Sequence, residues 1–121
     1  MLLPQPDADK ITLAGVLAAL GDETRLAIVA SLAGSGQTCM PCGQFKVLTS
    51  KSNLTYHISK LREAGVVQVE PKGTRRYISL RRDDLEHRFP GLLQSIVATT
   101  ADLPPVTDSD WTESAEPAPA Q

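Results

Sequence analysis

Apolar residues recur at helical spacing in three segments of the chain. The first stripe is Leu13, Val16, Leu17 and Leu20, the second is Leu26, Val29, Ala30 and Ala33, and the third is Leu54, Ile58 and Leu61. Because this spacing places side chains on one face of an α-helix, it predicts three helices. Asp22 precedes the second helix and Ser50 the third, and both residue types are favoured N-caps.

Two short apolar or alternating runs, typical of β-strands, follow the third helix. They occupy residues 66–69 and 77–80, and the segment Pro71-Lys72-Gly73-Thr74-Arg75-Arg76 lies between them. Two short strands joined by a glycine-containing turn predict a β-hairpin with a basic tip. Beyond it, Asp83 and Asp84 are expected to cap a short helical turn that Pro90 interrupts.

Two further segments complete the predicted domain. A last apolar stripe at Leu92, Leu93, Ile96 and Val97 predicts a helix that ends at about Thr100. This helix has no apolar partner close in sequence, so we expect it to pack with the first helix, in the same chain or in a second one. The segment from Gln37 to Thr49 contains both cysteines, and its Pro41 and Gly43 predict a short, irregular helix with loops.

The length of 121 residues and the hydrophobic content of 41% suit one globular core. We predict a flexible N-terminus at residues 1–9, one DNA-binding and dimerisation domain at residues 10–100, and a disordered acidic tail at residues 101–121. The tail is expected to keep the protein soluble, or to fold back over basic residues. The expected fold class is mainly α with a small β-hairpin, in the element order of a winged helix-turn-helix.

The formal net charge of −2 conceals a strong segregation of charge along the chain. Between positions 46 and 82, the acidic residues are only Glu63 and Glu70. The basic residues in the same range are Lys46, Lys51, Lys60, Arg62, Lys72, Arg75, Arg76, Arg81 and Arg82. All charged residues after position 101 are acidic. Because the basic centre coincides with the third helix and the hairpin, we interpret it as a nucleic-acid-binding surface rather than a merely solvated face.

The third helix and the hairpin carry the groups needed to bind double-stranded DNA. Lys and Arg neutralise phosphates, Asn, Tyr and His reach base edges or backbone oxygens, and a helix N-terminus favours a phosphate. The predicted DNA-binding residues are Ser50, Lys51, Ser52, Asn53, Tyr56, His57 and Lys60 in the helix, with Lys72, Thr74, Arg75 and Arg76 in the hairpin. Tyr56 and His57 have an alternative role as partly buried packing residues, and Tyr77 is expected to pack.

Three stretches of the sequence resemble the ArsR/SmtB family of bacterial winged helix-turn-helix repressors. They are LGDETRLAI at 20–28, SKSNLTYHISKLREAGVV at 50–67 and GTRRY at 73–77. The resemblance implies a homodimer built by the first and last helices, which binds a palindromic operator and is released by an effector. In this resemblance, the third helix is the one that reads the DNA sequence. Metal sensors similar to this family commonly carry Cys-x-Cys in the helix before it, or Asp and His ligands on the last helix. This sequence departs from both patterns.

Cys39 and Cys42 form a C-x-x-C spacing, which metal sites and redox-active thiols use because both sulfurs can converge across one turn. A complete metal site needs further ligands, from His57, His87, an acidic side chain or a second subunit. Three roles stay open for the pair. We favour packing as small apolar side chains over binding of a metal or metalloid ion and over thiol redox switching. No other cofactor is expected.

The leading functional hypothesis is a homodimeric transcriptional repressor that binds double-stranded DNA. The alternatives are a winged-helix module that binds an acidic protein partner, and a thiol- or metal-responsive sensor variant that uses Cys39 and Cys42. An enzyme is not predicted, because no carboxylate pair, phosphate-binding glycine loop or nucleophile–base arrangement is convincing. No apolar stretch approaches the roughly 20 residues that span a bilayer, and no secretory leader is recognisable. We therefore expect a cytoplasmic protein without a membrane partner.

Overall fold

A computed structural model of the chain describes residues 2–34, 39–42, 45 and 50–100, apart from the side chain of Lys51. A short 3-10 helix (Ala8–Lys10) comes first. The elements that follow it in the described residues are α1 (Leu13–Leu20), α2 (Glu23–Gly34), β1 (Met40–Pro41), α3 (Lys51–Glu63), β2 (Val67–Lys72), β3 (Arg75–Leu80), α4 (Arg82–Arg88) and α5 (Leu92–Thr99). The fold is therefore mainly helical with a small sheet, as the sequence predicts.

The two N-caps predicted from the sequence are present. Asp22 Oδ1 accepts the backbone N–H of Arg25 at 3.0 Å at the start of α2. Ser50 Oγ accepts the backbone N–H of Asn53 at 3.3 Å at the start of α3. Each cap satisfies one of the backbone donors that the first turn of a helix leaves unpaired.

The expected capping role of Asp83 and Asp84 was wrong. Both residues lie within the first turn of α4, whose N-cap position is Arg81. Asp84 instead accepts hydrogen bonds from the buried guanidinium of Arg81, at 2.9 and 3.0 Å. A fork of two hydrogen bonds to a buried cation outweighs a cap to an exposed backbone group.

The central helix is α2, which packs on α1, α3, α5 and β3. Its fully buried residues are Ala27, Ile28, Val29 and Leu32. The stripe predicted from spacing was therefore rotated, since Leu26, Ala30 and Ala33 are only partly buried. A single-face pattern fails here because neighbours cover the helix from several sides.

The sheet contains a strand that the sequence did not predict. Its order is β1-β3-β2 with antiparallel neighbours, and Met40 pairs with Ile78. Of the segment expected to be a short, irregular helix with loops, the described part contains this strand, and Cys42 and Phe45 have 3-10 helical conformation. Pro41 is tolerated there because β1 is an edge strand of the sheet.

The hairpin of β2 and β3 is longer than predicted. Its ladder runs from the pair Val67–Leu80 to the pair Lys72–Arg75, so only Gly73 and Thr74 form the turn. Gly73 has φ +63°, a conformation that glycine adopts without steric cost. The basic tip is therefore a narrow two-stranded projection.

The segment before α1, expected to be loose, lies against the domain. Its backbone is bonded through three contacts: Leu3 N–H to Val69 O, Arg62 to Pro4 O and Arg81 to Pro6 O, at 2.9, 2.7 and 2.7 Å. These bonds connect the segment to β2, the end of α3 and the start of α4. The domain boundaries stay predictions, and the acidic tail at residues 101–121 lies outside the described residues.

Candidate nucleic-acid interface

One face of α3 is fixed in the core. Leu54, Ile58 and Leu61 are at most 8% exposed, and they pack in the apolar cluster that also holds α2 and the sheet. The spacing of these residues predicted this face, and the prediction is confirmed. This anchoring leaves the exposed residues of α3 on its other side available to a ligand.

The opposite face of α3 is polar and exposed. Ser52, Asn53, Tyr56 and Lys60 are exposed, and Tyr56 retains 54% of its accessible surface. The Lys60 ammonium nitrogen lies 5.5 Å from the centroid of the Tyr56 ring, which is a cation–π distance. The face therefore presents an ordered aromatic ring and a cation side by side.

His57 is placed differently from its neighbours on α3. Its side chain is only 14% exposed, and its Nδ1 lies 3.0 Å from a terminal nitrogen of Arg25 on α2. The Tyr56 and His57 rings meet edge to face, with centroids 5.5 Å apart. The alternative interpretation of His57 as a partly buried packing residue is thus the one its geometry favours.

Arg25 and Asp22 complete the surroundings of His57. The Nε of Arg25 donates to the carbonyl oxygen of Ala19 at the end of α1, at 2.5 Å. A carboxylate oxygen of Asp22 lies 3.9 Å from His57 Nδ1. The pKa of Asp22 is lowered from its usual 3.8, chiefly by the hydrogen bond from the Arg25 backbone and against the raising effect of burial; the charges of Arg25 and His57 add to the lowering.

The hairpin of β2 and β3 is the wing of this fold. Its predicted contact residues are all exposed: Lys72, Thr74, Arg75 and Arg76. Lys72 lies 3.9 Å from a carboxylate oxygen of Glu70 and 5.7 Å from the centroid of the Tyr77 ring. Ion pairs of this exposed kind contribute little to stability and are easily exchanged for other partners. The wing therefore presents its cations to solvent, while the half-buried Tyr77 packs.

The two cysteines flank the edge strand β1, Cys39 before it and Cys42 after it. Met40 of β1 is fully buried, whereas Cys39 is partly buried. Cys42 packs against the core, and burial raises the pKa of its thiol to about 11, although the charge of Arg76 acts in the opposite direction. These observations favour a packing role for Cys42, because the thiolate is the form that binds metals and reacts.

A metal centre and a membrane span have no counterpart in the part of the chain that the structure describes. No group of three or more His, Cys, Asp or Glu side chains in residues 2–34, 39–42, 45 and 50–100 is arranged to hold a metal ion. None of the described helices is long and apolar enough to cross a membrane.

Arg25 is not among the residues that the sequence pattern predicts to be functional. Arg25 belongs to α2 and lies 32 residues before the histidine that it contacts. The only local signal was its position three residues after Asp22, which is common at a helix start. Its relation to α3 is purely tertiary.

Helices α2 and α3, followed by the basic hairpin, have the order and the exposed polar face of a winged helix-turn-helix, a class of DNA-binding protein. A family profile described as a helix-turn-helix domain matches residues 20–70. The matched range contains α2, α3 and most of β2, which are the elements that carry the predicted reading helix.

Two relatives narrow the class. The HTH-type transcriptional regulator YceK of Bacillus subtilis (strain 168) is 37% identical over 98 residues, which cover 79% of this chain and 95% of that protein. The arsenical resistance operon repressor of the same organism is 34% identical over 68 residues, 55% of this chain and 64% of that protein. The chain therefore belongs to the ArsR-like helix-turn-helix transcriptional regulators, a DNA-binding and non-enzymatic family. The resemblance found in the sequence is confirmed.

Proposed function

We propose that this regulator is a homodimeric repressor that binds a palindromic operator through α3 and the wing and leaves it when an effector binds. The observation that carries the proposal is the exposed polar face of α3, followed in the chain by a wing whose contact residues are all exposed. Such a helix fits the major groove, and such a wing contacts the backbone. The cytoplasm is the compartment where this function is exercised.

The contact residues divide by the information that each can read. Asn53 and Tyr56 present groups to base edges, and Ser50 and Ser52 lie at the helix N-terminus, where a phosphate is favoured. Lys51 and Lys60 on α3, with Lys72, Thr74, Arg75 and Arg76 on the wing, bind phosphates and supply affinity without sequence preference. His57, which is mostly buried, contributes to DNA binding through its edge-to-face contact with the Tyr56 ring.

The dimer is proposed to form through α1 and α5. Leu13 and Leu17 on α1 are 45% and 49% exposed, and no residue of α5 is fully buried although four of its eight are large and apolar. A cleft of about 310 Å³ lies where α1, α2 and α5 meet, lined by Leu17, Leu20, Leu26, Ile96, Thr99 and Thr100. One chain alone leaves this apolar surface in water, whereas a two-fold copy would cover it with the same surface.

The effector is proposed to act through the region that precedes α3. Cys39 and Cys42 lie there. The three open roles of the pair are packing, binding of a metal or metalloid ion, and redox switching, and each predicts a different response of operator binding. Binding of a metal or oxidation that released the operator would support a sensing role, and unchanged binding would support packing.

Fluorescence anisotropy with DNA from the region upstream of the protein's own gene tests the proposal. We expect saturable binding with nanomolar affinity and a two-fold symmetric footprint. Exchange of Asn53 for Ala should cost about 1–3 kcal/mol at the operator and reduce the preference over unrelated DNA. Equal affinity of the wild-type protein for the operator and for unrelated DNA would contradict the proposal.

A further inference from the structure

Arg25 connects three helices through the two sides of its guanidinium. Its Nε donates to the last turn of α1 at Ala19 O, and its terminal nitrogen contacts His57 Nδ1 on α3 at 3.0 Å. The backbone N–H of Arg25 is held by Asp22 at the start of α2. A guanidinium can make these separate bonds because its donors form a rigid fork, and a lysine ammonium has no such fork.

The contact with Arg25 selects the tautomer of the neutral His57 ring. An arginine side chain only donates hydrogen bonds, so Nδ1 of His57 must accept, and the single proton of the neutral ring then lies on Nε2. Nδ1 is not a proton donor in this arrangement. The carboxylate of Asp22, 3.9 Å from Nδ1, balances the charge of Arg25 in this partly buried region.

The His57 ring is linked to the DNA-facing side of α3 by its contact with the Tyr56 ring. Its ring meets the Tyr56 ring edge to face at 5.5 Å, and Lys60 lies at 5.5 Å on the Tyr56 ring. Tyr56 is 54% exposed, and its ring contacts the side chains of His57 and Lys60. A change in the His57 ring is therefore transmitted to the side chains proposed to read the operator.

We propose that Arg25 is a positioning residue for the reading surface: it holds His57 in the Nε2–H tautomer and thereby fixes the docking of α3 on α2 and the orientation of Tyr56. The effect of Arg25 on operator affinity rests on the proposed function. The effect of Arg25 on the His57 tautomer does not. It gives α2, which presents no predicted contact residue, a role in operator preference.

The test compares Arg25→Met with Arg82→Met in the full chain. Methionine keeps an apolar chain of similar length and removes the guanidinium. Arg82 lies in the basic segment of the sequence but is not one of the predicted contact residues. It is a matched control because Arg82→Met removes the same charge, and the Arg82 guanidinium also bonds backbone carbonyls, those of Leu32 and Ala33, and not His57. Arg25→Lys retains the charge without the fork, and thermal melts identify any variant that does not fold.

Two measurements are made on each variant. ¹⁵N NMR of the imidazole rings at pH 8 reports the tautomer of His57, and the exposed His87 is the internal reference. Anisotropy titrations report the affinities for operator and unrelated DNA. We expect Nε2–H for His57 in the wild type and in Arg82→Met, and a mixture of tautomers in Arg25→Met. Arg25→Met should lose about 10- to 100-fold in operator affinity, and both Met variants should lose only a few-fold on unrelated DNA. Arg25→Lys should recover part of the operator affinity.

Two results would overturn the proposal. One is an Nδ1–H ring in the wild type, and the other is an operator preference that Arg25→Met and Arg82→Met change equally. Absence of operator binding by the wild-type protein would instead refute the proposed function, while the tautomer measurement would still decide the role of Arg25 toward His57.

Discussion

Arg75 and Arg76 are the wing residues whose charges face solvent with least competition from neighbouring side chains. Both are exposed, whereas Lys72 has Glu70 within 3.9 Å. We expect Arg75→Ala or Arg76→Ala to weaken binding to operator and unrelated DNA by similar factors. Each substitution removes one phosphate contact from each subunit of the proposed dimer, so the slope of log affinity against log salt should become shallower by about 2. Anisotropy titrations at several salt concentrations measure both effects.

The matched control for the wing is Lys10→Ala. Lys10 is exposed and basic but belongs to the short helix before α1. A Lys10→Ala variant that lost as much affinity as the wing variants would show that total charge, and not the wing, determines binding.

Cys42 should resist alkylation in the folded protein. Burial raises the pKa of its thiol from 9.0 to about 11, which leaves about one hundredth of the thiolate at a given pH. We expect iodoacetamide at pH 8 to modify Cys42 about 100-fold more slowly in the native protein than in urea, measured by mass spectrometry. Equal rates in the two conditions would show that the thiol is accessible and ionised, and would favour a sensing role.

On α3, the sequence spacing places the buried residues correctly but does not show the environment of His57. Leu54, Ile58 and Leu61 were placed correctly because spacing alone defines their face of α3. Helical spacing predicts His57 on the same polar arc as Tyr56, because both residues lie off the stripe of Leu54, Ile58 and Leu61. His57 lies at the edge of the apolar stripe, and its neighbour Arg25 comes from another helix. Periodicity along one helix cannot show such a partner.

At the scale of elements, Gly65 sets the end of α3 and its connection to β2. Its φ is +84°, and an added Cβ would lie 2.5 Å from Cγ1 of the buried Ile11. We expect Gly65→Ala to destabilise the protein by about 2–4 kcal/mol, from backbone strain and overpacking together. Urea denaturation followed by circular dichroism measures the loss.

The control for this substitution is Gly73→Ala in the wing turn. Gly73 also has positive φ, at +63°, but nothing lies within 4 Å of an added Cβ. Gly73→Ala should therefore cost only about 1–2 kcal/mol of backbone strain. Equal losses for the two variants would contradict the claim that Ile11 packs tightly against Gly65.

Elements formed by tertiary partners were the ones the sequence missed. The strand β1 has two residues, one of them Pro41, and no alternation that a pattern could detect. It forms because the edge of β3 offers unpaired backbone groups to Met40 and Pro41. The helices α1, α2 and α3 and the hairpin were predicted because each has its own periodicity or turn chemistry.

At the scale of the whole molecule, the exposed apolar surface of α1 and α5 predicts a dimer. The double substitution Leu13→Gln with Leu17→Gln changes two side chains that one chain leaves about half exposed. Size-exclusion chromatography with light scattering should give twice the chain mass of 13.0 kDa for the wild type and the single mass for the double variant.

Leu2→Gln is the control, because Leu2 is 41% exposed but lies outside α1 and α5. It should remain dimeric. A monomeric wild type, or a dimer that survives the double substitution, would contradict the proposed interface.

The central claim is that α3 and the wing bind operator DNA, and the salt dependence of operator affinity tests it most directly. Lys51, Lys60, Lys72, Arg75 and Arg76 are the five cations proposed to neutralise phosphates. At about 0.9 of slope for each phosphate, a dimer should give a log–log slope of about −9. Anisotropy titrations between 50 and 200 mM salt measure this slope. Over that interval, a protein with 6–10 phosphate contacts loses about 10³–10⁵ in affinity. A steep loss that Arg75→Ala makes shallower would support the account, and affinity independent of salt would contradict it.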